Sequence, residues 1–180
     1  MGPGSAARVA CHTVRHAYPR EGIRLMDSST SAAEELNWAV RAFIYTSIAD
    51  SGQPPSVAEA AAALDLTEEA ARNAFVWLHE RHALFLAADG QTIRMAHPFS
   101  GVPTDFRVIA NGRAYWANCA WDMLGIPAAL HADARIEARF ADTRAPVSLA
   151  VEGGTVRGAP GAVIAFRQPF RRWYDDLIFT

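Results

Sequence analysis

Cysteine is scarce in this sequence. Only Cys11 and Cys119 occur among 180 residues, so at most one bridge can form and a disulfide-stapled framework is excluded. Both thiols are expected to stay free. Long apolar runs are also missing. None approaches the roughly 18 to 20 residues of a membrane-spanning helix, and the start lacks the basic-then-apolar order of a secretory signal. These absences imply a cytoplasmic protein with no membrane partner. An excess of positive charge is lacking too. A formal net charge of -2 does not suit a surface that neutralises many phosphates, which argues against nucleic acid as a partner. No repeat or low-complexity tract interrupts the chain.

What is present suits a globular protein. The sequence is 51% hydrophobic and 20% charged, enough for one sizeable core or two small ones. Met1–Ser5 is too rich in Gly and Pro to specify an element, and residues 1–27 as a whole read as an irregular arm. From Ser31 to Asp50, Leu36, Val40, Phe43, Ile44 and Ile48 recur at three- and four-residue steps, predicting an amphipathic helix that Gly52-Gln53-Pro54-Pro55 ends. Ser56 stands three residues before Glu59 in capping-box spacing, opening a short helix with Val57, Ala61 and Leu64. Thr67 caps a third helix, with Glu68 and Glu69 at the positive end of its dipole and Ala71, Phe75, Leu78 and His82 along one face. The segments 84–87 and 92–95 then flank Asp89-Gly90 as a hairpin.

Three helices and a hairpin over residues 28–96 give the order of a winged-helix unit. A DNA-reading role does not suit it. Between Ser56 and His82 there are five acidic residues (Glu59, Asp65, Glu68, Glu69, Glu80) and two basic ones (Arg72, Arg81), the wrong sign for a groove-reading helix. His79 and His82, three apart, lack a third metal ligand at a diagnostic spacing and read as one part-buried and one exposed histidine.

Residues 97–104 carry two prolines and a glycine and read as a linker that continues neither helix nor strand. Beyond it, Phe106–Ile109 and a turn at Asn111-Gly112 precede a predicted helix from about Ala114 to Leu124, broken by Gly125 and Pro127. Alternation in 136–140, 147–151 and 162–166 predicts three antiparallel strands. The expected fold class is therefore α+β. A winged-helix-like three-helix unit with its hairpin is followed, over 105–180, by a small antiparallel sheet packed around a central helix.

One pair carries chemistry. Cys119 and Asp122 form a Cys-x-x-Asp step that puts thiol and carboxyl on one helical face, where they can share a proton. A carboxylate beside a thiol acts as a base when it takes that proton and as an acid when it returns it elsewhere. The plainer reading is structural: free cysteines are often buried, and Trp116, Cys119 and Met123 also make an apolar stripe. Arg167, Arg171 and Arg172 fit an anion site or, more plainly, charges that blunt a strand edge.

The segments His97-Pro98-Phe99-Ser100-Gly101-Val102-Pro103-Thr104 and Arg113-Ala114-Tyr115-Trp116-Ala117-Asn118-Cys119-Ala120-Trp121-Asp122-Met123-Leu124-Gly125-Ile126 resemble the core of the alkylmercury (organomercurial) lyase family. The similarity runs from near Glu34 to the end and includes 145–149 and Trp173–Phe179. It implies protonolysis of a carbon–mercury bond in a small-molecule substrate, giving a hydrocarbon and Hg(II). Cys119 would hold the mercury as a soft thiolate, and Asp122 would take the Cys119 proton and hand it to the leaving carbon. Both would then serve as ligands of Hg(II) as product or bound ion. No cofactor is implied, only an external thiol for turnover. Trp116, Trp121 and Met123 are candidates for the substrate-pocket wall, or for plain packing.

One departure stands out. Active members of the family use a second cysteine after the Trp-Tyr-Asp-Asp-like segment, and the present sequence stops at Thr180 without it; Cys11 is the other thiol at hand. Two further readings stay open. One keeps the Cys-Asp pair but acts on a metal-free small molecule, and the other is a non-catalytic soft-metal-binding protein.

Overall fold

A computed structural model describes residues 28–166. The expected arm with Cys11, the arginines Arg167, Arg171 and Arg172, and the Trp173–Phe179 segment lie outside the described residues. Helix α1 spans Ser28–Ser51. Its four-residue steps bury Val40, Ile44 and Ile48, and Gly52 stops it at φ 81° while its N–H caps the Ile48 carbonyl at 2.8 Å. Only glycine adopts that left-handed conformation without strain.

Helix α2 (Val57–Ala63) opens on the predicted capping box. The Ser56 hydroxyl accepts from the Glu59 N–H at 3.2 Å, and the Ser56 N–H donates to the Glu59 carboxylate at 2.7 Å. Helix α3 (Glu68–Glu80) starts on Thr67, whose side chain accepts from the Ala70 N–H at 3.1 Å. It buries Ala71, Ala74, Phe75 and Leu78. His82 lies beyond its end at φ 56° and is exposed. His79 is half-buried, and both rings pack on Phe85, at 5.9 Å and 5.7 Å.

Among the described residues, eight strands form one antiparallel sheet. They are β1 (Phe85–Leu86), β2 (Ile93–Ala96), β3 (Phe99–Ser100), β4 (Arg107–Ala110), β5 (Arg113–Ala117), β6 (Ala134–Arg139), β7 (Pro146–Glu152) and β8 (Thr155–Arg157). Their order across the sheet is β1-β2-β3-β5-β4-β6-β7-β8. The α+β class is as expected. The predicted hairpin is present as β1 and β2, but β2 also pairs with β3, so the hairpin is one margin of a long sheet.

Three expectations need correction. The segment 97–104 does continue a strand: β3 pairs with β2 on one side and with β5 on the other, Phe99 opposite Ala117 and Ser100 opposite Trp116. Its prolines stand outside the two paired residues, and Gly101 leaves room where any Cβ would strike the Ile93 carbonyl. Next, residues 113–117 are strand β5 where a helix was expected. Asn111 and Gly112, at φ 50° and 73°, make the tight turn that folds β4 onto β5, and such an Asn-Gly pair is a hairpin signal of the first rank. The helix begins later as α4, Asp122–Leu130, and runs through Gly125 and Pro127 instead of breaking there. Burial of Met123, Ile126 and Pro127 outweighs the lost backbone donor. Last, residues 162–166 form no strand, and Val163 is 86% exposed. Gly153-Gly154 instead returns the chain as β8 against β7.

Tyr115 ties the helices to the sheet. Its ring is buried, and its hydroxyl donates to the Ala49 carbonyl at 2.8 Å, one of the carbonyls left without an intrahelical partner at the end of α1. Tyr115→Phe is expected to cost about 1 kcal/mol, read as a lower midpoint in chemical denaturation with an unchanged slope. An unchanged midpoint would mean that water replaces the phenol at no cost.

Candidate active site

Strand β5 ends at Ala117, where its N–H donates to the Phe106 carbonyl at 2.9 Å and the Thr104 hydroxyl donates to its carbonyl at 2.6 Å. The chain then turns through Asn118–Trp121 into α4. Trp121, which precedes the helix, has no capping hydrogen bond from its side chain. Cys119 lies in the turn just before the helix. Its carbonyl accepts from the Met123 N–H at 3.1 Å, and the Trp121 and Asp122 N–H groups stabilise the charged form of its sulfur. The Cys-x-x-Asp step therefore joins a turn residue to the first residue of α4, not two residues on the face of a helix.

The predicted pair is brought together. The Cys119 thiol donates to Asp122 Oδ2 at 3.5 Å, and Asp122 is 6% exposed. Burial pushes the Cys119 thiol up, and the adjacent Asp122 carboxylate pushes it further. The two backbone N–H groups pull the other way without reversing the direction. The resting site thus holds a neutral thiol until something withdraws its proton. Alkylation of Cys119 by iodoacetamide, followed by peptide mapping against pH, is expected to inflect above the ordinary thiol value of about 8.5. An inflection at or below that value would contradict this electrostatic picture.

The three proposed wall residues occupy different settings. Trp116 is half-buried on β5, between the buried Tyr115 and Ala117. Trp121 is 55% exposed, its ring 5.9 Å from that of Phe166. Met123 is buried in the main core.

Two neighbours escaped the sequence reading. His97 follows β2, and its Nδ1 lies 3.6 Å from Asp122 Oδ2, the same oxygen that meets the thiol. Tyr45 on α1 packs against Phe99 at 6.4 Å and beneath the Arg41 guanidinium at 4.5 Å. Burial raises its phenol, Arg41 counteracts, and the charge of Asp122 adds a smaller upward push. His97 had a signal of sorts, a titratable ring at a strand end beside proline. Tyr45 had none beyond its place one turn from Arg41.

His97 reaches Asp122 beside a close packing of α4 on the Pro98 ring. A Cβ on Gly125 would lie 3.1 Å from Pro98 Cβ, so glycine lets α4 sit directly on the residue after His97. Among the described residues, no group of three or more His, Cys, Asp or Glu is arranged to hold a metal ion, and no helix is long and apolar enough to cross a membrane.

The alkylmercury lyase family model matches residues 99–177. Among solved structures, the chain is similar to MerB2 in its mercury-bound form, at 26% identity and a TM-score of 0.56, over 75% of this chain and 69% of that one. A search of curated proteins gives no significant match.

Proposed function

We propose that this chain, which over residues 99–177 matches the alkylmercury lyase family model, cleaves carbon–mercury bonds by protonolysis, with Cys119 and Asp122 as its catalytic residues. The observation that carries this reading is the contact between the Cys119 thiol and the buried Asp122 carboxylate at 3.5 Å.

The chemistry follows from that contact. A mercury(II) compound R–Hg–X presents a soft cation, for which thiolate is the best protein ligand. Metal coordination deprotonates a thiol outright, so the elevated affinity of Cys119 for its proton is overcome when mercury arrives. X leaves as sulfur binds, and the proton passes to Asp122 Oδ2. The sulfur then donates electron density through mercury and makes the carbon of R basic. Asp122 returns the proton to that carbon, and the electron pair of the carbon–mercury bond becomes the new carbon–hydrogen bond. R–H leaves, while Hg(II) stays on the Cys119 sulfur and the regenerated Asp122 carboxylate. An external thiol takes the metal away and restores the Cys119 proton.

Trp116 and Trp121 are proposed to flank the organic group, and Met123 supports them from the core. Incubation with phenylmercuric acetate and excess thiol tests the whole sequence of steps, with benzene as the readout. Mercury retained without benzene would instead mean a soft-metal-binding protein. A protein indifferent to mercury would leave the Cys-Asp pair to a metal-free substrate.

A further inference from the structure

Building on the proposed protonolysis, we infer that His97 is a positioning residue for the Asp122 carboxyl, holding Oδ2 in the orientation from which it serves both the thiol and the substrate carbon. A terminal carboxyl rotates in a broad, roughly two-fold well, and a proton carrier that turns away from either partner is lost to the reaction. Proton transfer depends steeply on such placement. In the described residues, Oδ2 has two side-chain neighbours of this kind, Cys119 Sγ at 3.5 Å and His97 Nδ1 at 3.6 Å. The sulfur changes partners during the reaction, so it cannot be the group that keeps the oxygen in place. The imidazole can. Its Nδ1–H is a donor in one neutral tautomer as well as in the cation, so the role requires no particular charge.

The ring is itself held. Phe85, 4% exposed, presents its ring edge-to-face at 6.0 Å, and Pro98 is pressed against α4 at Gly125. The 3.6 Å separation is of the kind that closes to a hydrogen bond when substrate orders a site.

Three variants of the full chain separate positioning from bulk or fold. In His97→Asn the amide nitrogen falls near the Nδ1 position, in His97→Gln it falls near Nε2, and His97→Leu has no donor. With phenylmercuric acetate and excess thiol, the Leu and Gln variants are expected to lose about 10- to 100-fold in kcat with little change in KM, as when a supporting hydrogen bond to an active-site ligand is removed. The Asn variant should recover most of kcat. Thermal midpoints recorded alongside identify any variant that has not folded, and the Asn and Gln pair decides the matter if Leu fails to fold. Full kcat in the Leu or Gln variant, an Asn variant as slow as Gln, or a loss confined to KM would each overturn the role of His97 alone. A wild-type protein that forms no benzene would overturn the lyase reading and this inference with it.

Discussion

Asp122→Asn should keep mercury bound to Cys119 yet release benzene about 10^2- to 10^4-fold more slowly, the span associated with one positioned general acid. The amide matches the carboxyl in size, so the buried site at 6% exposure is not opened. What it lacks is a proton that can be accepted from the thiol and given up to carbon. Removal of the carboxylate charge also takes away a cause that raises the Cys119 thiol, leaving burial as the largest. The variant thiol should therefore ionise more readily and capture phenylmercury at least as well as the wild type. Cys119→Ser should lose both capture and release. Mass spectrometry of the trapped adduct together with gas chromatography of benzene reads the two steps separately. Benzene release by Asp122→Asn at the wild-type rate would remove the carboxyl from the chemistry.

A second large effect concerns the support under the site. Phe75 is fully buried on α3, within the cluster that also holds Val40, Ile44 and Leu78. Phe75→Ala deletes a ring from the middle of that packing, at a cost of about 3–5 kcal/mol. Domains of ordinary stability have about 5–15 kcal/mol in all, so the variant should unfold at a much lower denaturant concentration. Urea melts followed by tryptophan fluorescence measure it. A loss below about 1 kcal/mol would mean that the helices repack around the missing ring.

The helical half was legible because its signals are local. Ser56 with Glu59, Thr67 with Ala70, and the Val40, Ile44, Ile48 stripe each act within a turn or two, and each stands where the pattern put it. The pairing of Cys119 with Asp122 was legible for a different reason. A three-residue step brings side chains together on a helix face, and it does so here across the turn that leads into the helix. The spacing therefore gave the right contact with the wrong element. Arg113–Ala117 was misread because Ala114 and Ala117 favour a helix, whereas the pairing of β5 with β3 and β4 comes from residues distant in sequence. Residues 162–166 erred the other way, since alternation alone makes no strand without a neighbour to accept its hydrogen bonds. His97 depends on Gly125 of α4 admitting Pro98, a meeting of a helix and a strand connection that no single window of sequence contains.

The placement of β3 between β2 and β5 has a bearing on how the chain can be divided. Two paired residues, Phe99 and Ser100, join the hairpin after α3 to the strands that lead to the thiol. Proteolytic cleavage or truncation between them would bare an unsatisfied row of backbone donors and acceptors on each fragment, the kind of margin that recruits further chains and precipitates. Neither piece should stay in solution alone, so a soluble version of the catalytic half would need its own replacement strand.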